Sequence, residues 1–264
     1  MGDVYGARVR PRRRWGRRLL ITFLVLLLIL AALLVVGDRV AAAFAERTIG
    51  DKVAEQVADQ KATSEKPDVT IEGIPFLTQV ARGEYHQIKI ELADFAGPAG
   101  NGQTLRMKLL DVRANDVVAP LDTIRTGNGD IKAGTVTGTG LIDYDQLAKL
   151  VGQDGVKLAA KDGKLVGSAP VTALGQTLTI SAVAGLTVKD GGVVQVRFSD
   201  VKAEGLGDNP LVRGLVNSYV QKLAFDLQVP ALPLNLQVEK VEPQADGLKV
   251  TAGARDVTLN STGL

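Results

Sequence analysis

The most constraining feature of this 264-residue chain is an apolar run near its N-terminus. The eighteen residues 19–36 contain no charged side chain and only one polar side chain, Thr22. At about 1.5 Å per residue, a helix of this length extends roughly 27 Å, close to the ~30 Å hydrocarbon core of a bilayer. The core helix of a soluble domain would instead show polar residues at every third or fourth position. The run therefore predicts a transmembrane segment.

Charges on the N-terminal side of this run predict its orientation. Residues 1–18 contain seven arginines and one aspartate, a net charge of +6. Because clustered cations resist translocation, we expect a cytoplasmic tail over 1–18, a transmembrane segment over 19–36 and an extracytoplasmic domain over 37–264. Basic arms also bind nucleic acids, but an arginine cluster beside an apolar run is better explained by topology, so we expect no nucleic-acid partner.

The tripeptide Ala43-Phe44-Ala45 leaves open whether the anchor is retained. Its small-x-small pattern is one that signal peptidase accepts, and a cut before Glu46 would release the domain after Ala45. The apolar run is longer than the ~7–15 residues of a typical signal peptide, which favours an uncleaved signal anchor. Either outcome places the same domain in the cell envelope, on the periplasmic side of the membrane.

Composition limits the chemistry of the exported domain. The whole chain carries a formal charge of +2, so about −4 remains for residues 19–264 once the +6 of the tail is set aside. A mildly acidic domain gives no reason to expect a polyanionic partner. The chain contains no cysteine, which excludes disulfides, thiolate catalysis and Cys-ligated metal sites. We expect the domain to be held together by burial alone.

Periodicity predicts three helices beyond the membrane segment. Apolar residues at a spacing of four, at Ile49, Val53 and Val57, predict an amphipathic helix from about 40 to 60, followed by a linker over 61–67. A short helix is predicted over 144–151, with Asp143 as its N-cap. A longer helix is predicted from Asn209. It carries two adjacent apolar rows, which consist of Leu211, Leu215, Tyr219 and Leu223, and of Val212, Val216 and Val220.

Alternating apolar and polar residues predict strands over the rest of the domain. The clearest case is 87–92, and the same pattern recurs at Leu105/Met107/Leu109, Leu178/Ile180/Ala182, Val194/Val196/Phe198 and Leu234/Leu236/Val238. Asx-Gly pairs at Asn128-Gly129, Asp162-Gly163, Asp190-Gly191 and Asp246-Gly247 indicate tight hairpins. Hairpin-joined strands with one apolar face predict an α+β fold, in which helices pack on the concave face of a long, strongly twisted antiparallel sheet.

Motifs of catalysis are missing from the sequence. The single histidine, His86, stands at a strand start with its face undetermined, and no nucleophile-elbow or phosphate-loop pattern accompanies it. Gly127-Asn128-Gly129 is better interpreted as a hairpin tip than as a nucleotide-binding turn. The carboxylates Asp111, Asp116, Asp122 and Asp143 have neither calcium-loop nor acid–base spacing. We therefore expect no enzyme, no catalytic residue, no metal and no cofactor.

Aliphatic faces on nearly every element admit two interpretations. One is an ordinary core of Val, Leu and Ala. The other is a groove for acyl chains, which needs aliphatic walls and few placed polar groups. Under the second interpretation the wall residues on the late helix are Val212, Leu215, Val216, Tyr219, Val220 and Leu223.

Residues 71–85, with the sequence Ile-Glu-Gly-Ile-Pro-Phe-Leu-Thr-Gln-Val-Ala-Arg-Gly-Glu-Tyr, carry a family resemblance. Together with the strand that follows, they resemble the signature of the actinobacterial LmeA-like phospholipid-binding family. The order of parts agrees as well, from basic tail and membrane segment to a late N-P-L-x-x-x-L helix, over about residues 40–262. Gly73 and Gly83 bracket a tight turn or short helix that would present Phe76, Leu77 and Val80 as an apolar lip, which completes the lipid-binding candidates.

The resemblance implies a fold similar to the tubular lipid-binding domains of the bactericidal/permeability-increasing type. It also implies binding of phospholipids, phosphoinositides among them, at the membrane. The founding member of the family supports mannan elongation of lipomannan, which implies an envelope glycosyltransferase as a partner or a role in lipid transfer. The alternative function is that of an exported, membrane-anchored structural or adaptor protein, which binds another envelope protein without lipid.

Overall fold

The computed structural model describes residues 15–98, 102–126, 129–151, 155–173, 176–189, 192–203, 225–229, 232, 234 and 236–260. Helices in these ranges are α1 (Trp15–Asp59), α2 (Phe76–Arg82), α3 (Leu121–Thr126) and α4 (Tyr144–Leu150). The strands are β1 (Asp68–Glu72), β2 (Glu84–Pro98), β3 (Thr104–Val118), β4 (Asp130–Ile142), β5 (Lys157–Lys161), β6 (Lys164–Ala173), β7 (Gln176–Lys189), β8 (Val193–Ala203), β9 (Phe225–Gln228), β10 (Gln237–Gln244) and β11 (Gly247–Asn260).

The first helix is continuous over 45 residues, so the predicted membrane segment and the predicted amphipathic helix are one element. Every side chain over 15–37 is exposed, and burial begins at Asp38. Beyond that point one face is covered, with Val53 and Val57 in the core as their spacing predicted. The helix is long and apolar enough to cross a membrane, judged by length and composition.

The C-terminal half of α1 lies along β1, the edge strand of one sheet. The backbone N–H of Ile71 donates to Glu46 Oε1 at 2.9 Å, so the helix supplies an acceptor to this exposed strand edge. A Cβ on Gly50 would come within 3.2 Å of the Pro67 carbonyl oxygen, which shows how closely helix and strand approach. A larger residue at position 50 would therefore press on the backbone of this strand end.

The strands form two antiparallel sheets, whereas the sequence predicted a single long one. The first sheet has six described strands in the order β1-β2-β3-β4-β11-β10, and the second has five in the order β5-β6-β7-β8-β9. The division falls where α4 follows β4 and carries the chain away before β5 begins. Side chains from both sheets contribute to one hydrophobic core, among them Leu110 from the first and Leu165 from the second. The predicted antiparallel α+β class is confirmed.

Four neighbouring strands of the six-stranded sheet, β2, β3, β4 and β11, share an irregular position, which we call the crease. The registers on either side of it place four residues opposite one another, His86, Asp116, Gly134 and Asp256. Asp116 and Asp256 have positive φ values of 53° and 50°, a left-handed conformation that departs from extended strand geometry while the pairing on either side stays one to one. The buried face shifts by one residue at the crease, and in β3 it passes from Ala114 to Val117. This shift explains why alternation left the face of His86 undetermined, and the structure places that side chain on the exposed side.

Two local predictions need correction. The turn predicted at Asn128-Gly129, of which Asn128 lies outside the described residues, stands between a helix and a strand and not between two strands, because α3 ends at Thr126 and β4 begins at Asp130. The helix α3 itself was not predicted. Leu234 and Leu236 precede β10 and lie outside any described strand, although both are buried. Prolines at 230 and 233 cannot donate to a ladder, which disfavours a strand at this point of the sequence.

Two other local predictions are confirmed. The helix α4 follows Asp143 as expected, although its N-terminus has no side-chain hydrogen bond from that residue. Asp162-Gly163 forms the expected two-residue hairpin between β5 and β6, with φ values of 52° and 72°.

Candidate functional site

The short helix α2 lies between β1 and β2 at the end of the six-stranded sheet from which α1 extends. Pro75 is its N-cap, with φ −78° and ψ 142°, and Gly83 is its C-cap, with φ 69° and ψ 22°. The Gly83 N–H donates to the carbonyls of Gln79 and Val80, which closes the last turn in the left-handed conformation that favours glycine. The predicted short helix between Gly73 and Gly83 is confirmed.

Two buried polar side chains mark this end of the domain. Among the described residues, Asp38 and Gln79 are the polar or charged side chains that are buried, and both contact the α2 segment. Burying such groups is costly unless their hydrogen bonds are satisfied. Their partners therefore define how the junction of α1, α2 and the sheet is built.

Gln79 forms hydrogen bonds that hold α2 to the two strands on either side of it, β1 and β2. Its side-chain Nε2 donates to the carbonyls of Glu72 and Gly73 at 3.2 Å each, and its Oε1 accepts the backbone N–H of His86 at 3.2 Å. One amide therefore joins the end of β1 to the start of β2. A Cβ on Gly73 would come within 2.8 Å of the Gln79 Nε2, so glycine is required where the amide passes.

Asp38 fastens α2 to α1. Its Oδ1 accepts the backbone N–H of Leu77 at 2.7 Å, and its Oδ2 accepts the Arg39 guanidinium at 2.6 Å. The N–H of Leu77 is in the first turn of α2 and has no acceptor within that helix, so the Asp38 carboxylate of α1 acts as its cap. The Leu77 N–H, and after it the Arg39 guanidinium, hold the pKa of the Asp38 carboxyl below its ordinary value. The carboxylate is therefore charged at neutral pH and locks the two helices together.

The three residues predicted to form an apolar lip are placed differently from one another. Phe76 is 4% exposed and lies against Tyr85, with ring centroids 6.2 Å apart. Val80 is partly covered and packs against the core, whereas Leu77 is 44% exposed. Phe76 is therefore a core residue in this structure. Burial also raises the pKa of Tyr85.

The most exposed apolar side chain near α2 is one that the sequence did not single out. Ile74 is 80% exposed and stands three residues before Leu77. It lies between Gly73 and Pro75, where no periodicity assigns a face. Asp38 was missed as well, because nothing in the sequence links it to a backbone N–H 39 residues further along the chain.

The other six lipid-binding candidates lie outside the described residues. They are Val212, Leu215, Val216, Tyr219, Val220 and Leu223. Their segment is bounded by Ala203 at the end of β8 and Phe225 at the start of β9. Since β9 pairs only with Val193–Val196 of β8, the remainder of that strand has no described strand beyond it.

Part of the buried sheet face is filled by protein side chains. A Cβ on Gly138 would come within 2.8 Å of Leu236 Cδ1, and a Cβ on Gly140 would overlap the Met107 sulfur. Glycines at these two positions of β4 therefore admit neighbouring side chains rather than leaving open space. An acyl chain has no room at this part of the face.

Within the described ranges, no group of three or more His, Asp or Glu side chains could hold a metal ion. The exposed His86 side chain faces outward at the crease, with Asp116 as its cross-strand neighbour. A histidine and an aspartate on an open sheet surface do not form an enclosed site for acid–base chemistry.

The architecture defines a class of protein, an antiparallel α+β domain that continues without a break into a helix apolar enough to cross a membrane. The chain belongs to the LmeA-like phospholipid-binding family, whose sequence profile matches residues 36–253. This match confirms the family that residues 71–85 indicated, and it covers α2 and both of its buried polar partners. Comparisons with curated proteins and with solved structures gave no match.

Proposed function

We propose that this chain is a non-enzymatic phospholipid-binding protein of the cell envelope. The observation that carries the proposal is the family match over residues 36–253, which spans nearly the whole folded domain. The exposed apolar surface of α1 supports a membrane location, because every side chain over 15–37 is uncovered. In this proposal α1 crosses the membrane, residues 1–18 stay in the cytoplasm, and the domain stands outside.

The proposed ligand site is an apolar groove that holds acyl chains. The face around Gly138 and Gly140 is closed by Leu236 and Met107, so the groove must lie elsewhere in the domain. The predicted helix after β8 supplies the wall in this proposal, with Val216 and Tyr219 on its two apolar rows. Aliphatic walls hold lipid tails without polar anchors, which agrees with the aliphatic bias of this segment.

The finer role follows from the family resemblance alone. We propose that the bound lipids include phosphoinositides, and that the protein supports elongation of lipid-linked mannan or moves lipid to an envelope glycosyltransferase. An anchored domain that holds acyl chains would present a lipid headgroup to such an enzyme outside the membrane. The alternative is an anchored adaptor that binds another envelope protein without lipid.

Native mass spectrometry of the full chain, released from detergent, tests lipid binding. We expect phospholipid adducts that persist at collision energies that strip detergent and loosely held lipid from α1. A chain that appears without lipid at those energies would contradict the proposal and favour the adaptor function. Comparison with Tyr219→Asp provides a control, because the same α1 is present while the proposed wall carries a charge.

A further inference from the structure

The end of the domain next to α1 exposes apolar side chains that no described residue covers. On α1, Val40 and Phe44 are 65% and 74% exposed, and their spacing of four residues puts them on one helix face. On the segment before and into α2, Ile74 and Leu77 are exposed as well. We name residues 74–77 the docking turn.

The height of the docking turn along α1 is fixed by a hydrogen bond. Asp38 lies two residues beyond the apolar run, about 3 Å further along the helix axis. Its carboxylate is 2.7 Å from the backbone nitrogen of Leu77. Because the headgroup layer extends roughly 5–8 Å beyond each side of the hydrocarbon core, Leu77 falls within that layer when 19–36 spans the core.

On α1, Val40 and Phe44 follow Val36 at a spacing of four, on the side of the helix turned away from Asp38 and the docking turn. Val40 stands about 6 Å beyond Val36, inside the headgroup layer, whereas Phe44 stands about 12 Å beyond Val36 and outside that layer. Apolar side chains on opposite sides of α1, Val40 and Leu77, therefore lie at headgroup height. The charge of Asp38, which would oppose contact with lipid, faces Leu77 and Arg39 instead.

We infer that the docking turn, with Val40 of α1, rests in the outer leaflet of the membrane that α1 crosses. The inference rests on the proposed membrane anchor and adds a second contact with the bilayer. A single helix can tilt in the bilayer, whereas a second contact beside it limits the tilt of the domain. The two contacts also bring the α2 end of the domain to the lipid surface.

Nitroxide labels on single cysteines test this contact, and the natural absence of cysteine means that each label reports one site. The full chain is placed in nanodiscs of phosphatidylcholine and phosphatidylglycerol, with labels at Ile74→Cys, Leu77→Cys, Leu109→Cys or Ala31→Cys. Leu109 is the matched control, because it is 43% exposed on β3, against 44% for Leu77, and lies far along the strand from α2. Ala31 reports on the membrane-crossing part of α1.

We expect labels at Ile74 and Leu77 to show an oxygen-to-nickel-chelate accessibility ratio several-fold above that at Leu109, because oxygen partitions into lipid and the chelate stays in water. If Ala31 is lipid-exposed while both turn positions match Leu109, the inference is overturned and the anchor stands. If Ala31 itself is exposed to the chelate, the proposed anchor fails and the inference fails with it.

Discussion

Asp38 is the residue through which α1 holds α2. Its folded pKa lies below the ordinary value, so the stabilisation it gives is complete at neutral pH. That stabilisation is lost as the pH falls from about 4, the ordinary pKa of an aspartate, through the lower pKa of the folded carboxyl. We predict that Asp38→Asn lowers the melting temperature of the full chain by a few degrees at pH 7, and that wild type and variant converge at acidic pH.

The control is Asp51→Asn on the same helix. Asp51 forms an ion pair with Lys66 between side chains that are 68% and 72% exposed, and an exposed pair of this kind contributes little. Melting curves of both variants across pH would check the prediction. An Asp38→Asn variant that melts like the Asp51→Asn variant at every pH would show that the bond to Leu77 does not hold the helices together.

For these residues, the sequence predicted the short helix α2 between Gly73 and Gly83 but not the contacts that its side chains make. Gly73, Pro75 and Gly83 predict a short helix because glycine permits positive φ and proline suits a helix start. The burial of Phe76 and the exposure of Ile74 depend on where α1 docks, which is set by Asp38 from far along the chain. A single sequence contains no signal for a bond between a carboxylate and a distant backbone N–H.

At the scale of the element, the crease predicts which substitutions the strands tolerate. Asp116 has a φ of 53°, a conformation that Asp and Gly accept and that a β-branched residue strongly disfavours. We predict that Asp116→Val lowers the free energy of unfolding by about 1–2 kcal/mol. Asp116→Gly should cost under about 1 kcal/mol. Equal losses in the two variants, measured by denaturant unfolding in detergent, would contradict a role for the left-handed conformation.

The predicted helix after β8 yields a prediction about the groove wall. Aspartate in a row packed on the sheet should unfold the domain, because an unpaired charge in an apolar interior costs several kcal/mol. Aspartate in a row that faces the groove should leave the fold intact and remove lipid. We predict that at least one of Leu215, Val216, Tyr219 and Val220 behaves in the second way when changed to aspartate. Melting curves and lipid co-purification on the same samples would decide this, and loss of lipid only in unfolded variants would contradict it.

Periodicity identified most elements but not how they assemble. Alternation in residues 87–92 and the Asp162-Gly163 turn predicted antiparallel strands and a hairpin, which the structure confirms. The crease interrupted alternation in four strands at once, and this cross-strand register is invisible in any one strand. The pattern of a strand appears at Leu232, Leu234 and Leu236 because every second residue there is a buried leucine, although none of the three lies in a described strand.

For the molecule as a whole, the arginine-rich tail predicts a single orientation. A reporter enzyme fused after Leu264 should be active only outside the cytoplasm, because clustered cations before the apolar run resist translocation. Replacing the seven arginines of residues 1–18 with neutral residues should weaken that preference. A cytoplasmic C-terminus in the native chain would contradict the proposed topology and the function built on it.

The division of the chain into an apolar N-terminal helix and a folded domain followed directly from hydropathy, whereas the continuity between them did not. Sequence patterns predicted a membrane segment over 19–36 and a second helix from about 40 to 60, and the structure has one continuous helix from Trp15 to Asp59. At Asp38 the helix changes from exposure on all sides to one buried face. This change results from tertiary packing, which hydropathy does not report. Alternation predicts strands one at a time, so it could not predict that they form two sheets with a shared core.

Lipid held inside the outer domain is the central claim, and photocrosslinking with a phospholipid that carries a diazirine near the end of one acyl chain tests it most directly. The full chain is irradiated in nanodiscs that contain this lipid, and the adducts are located by peptide mapping. The account predicts adducts on domain residues beyond α1 and the docking turn, with fewer of them in Tyr219→Asp or Val216→Asp. Adducts confined to the apolar run of α1 and to residues 74–77 would contradict it, because lipid would then touch the protein only at the membrane surface.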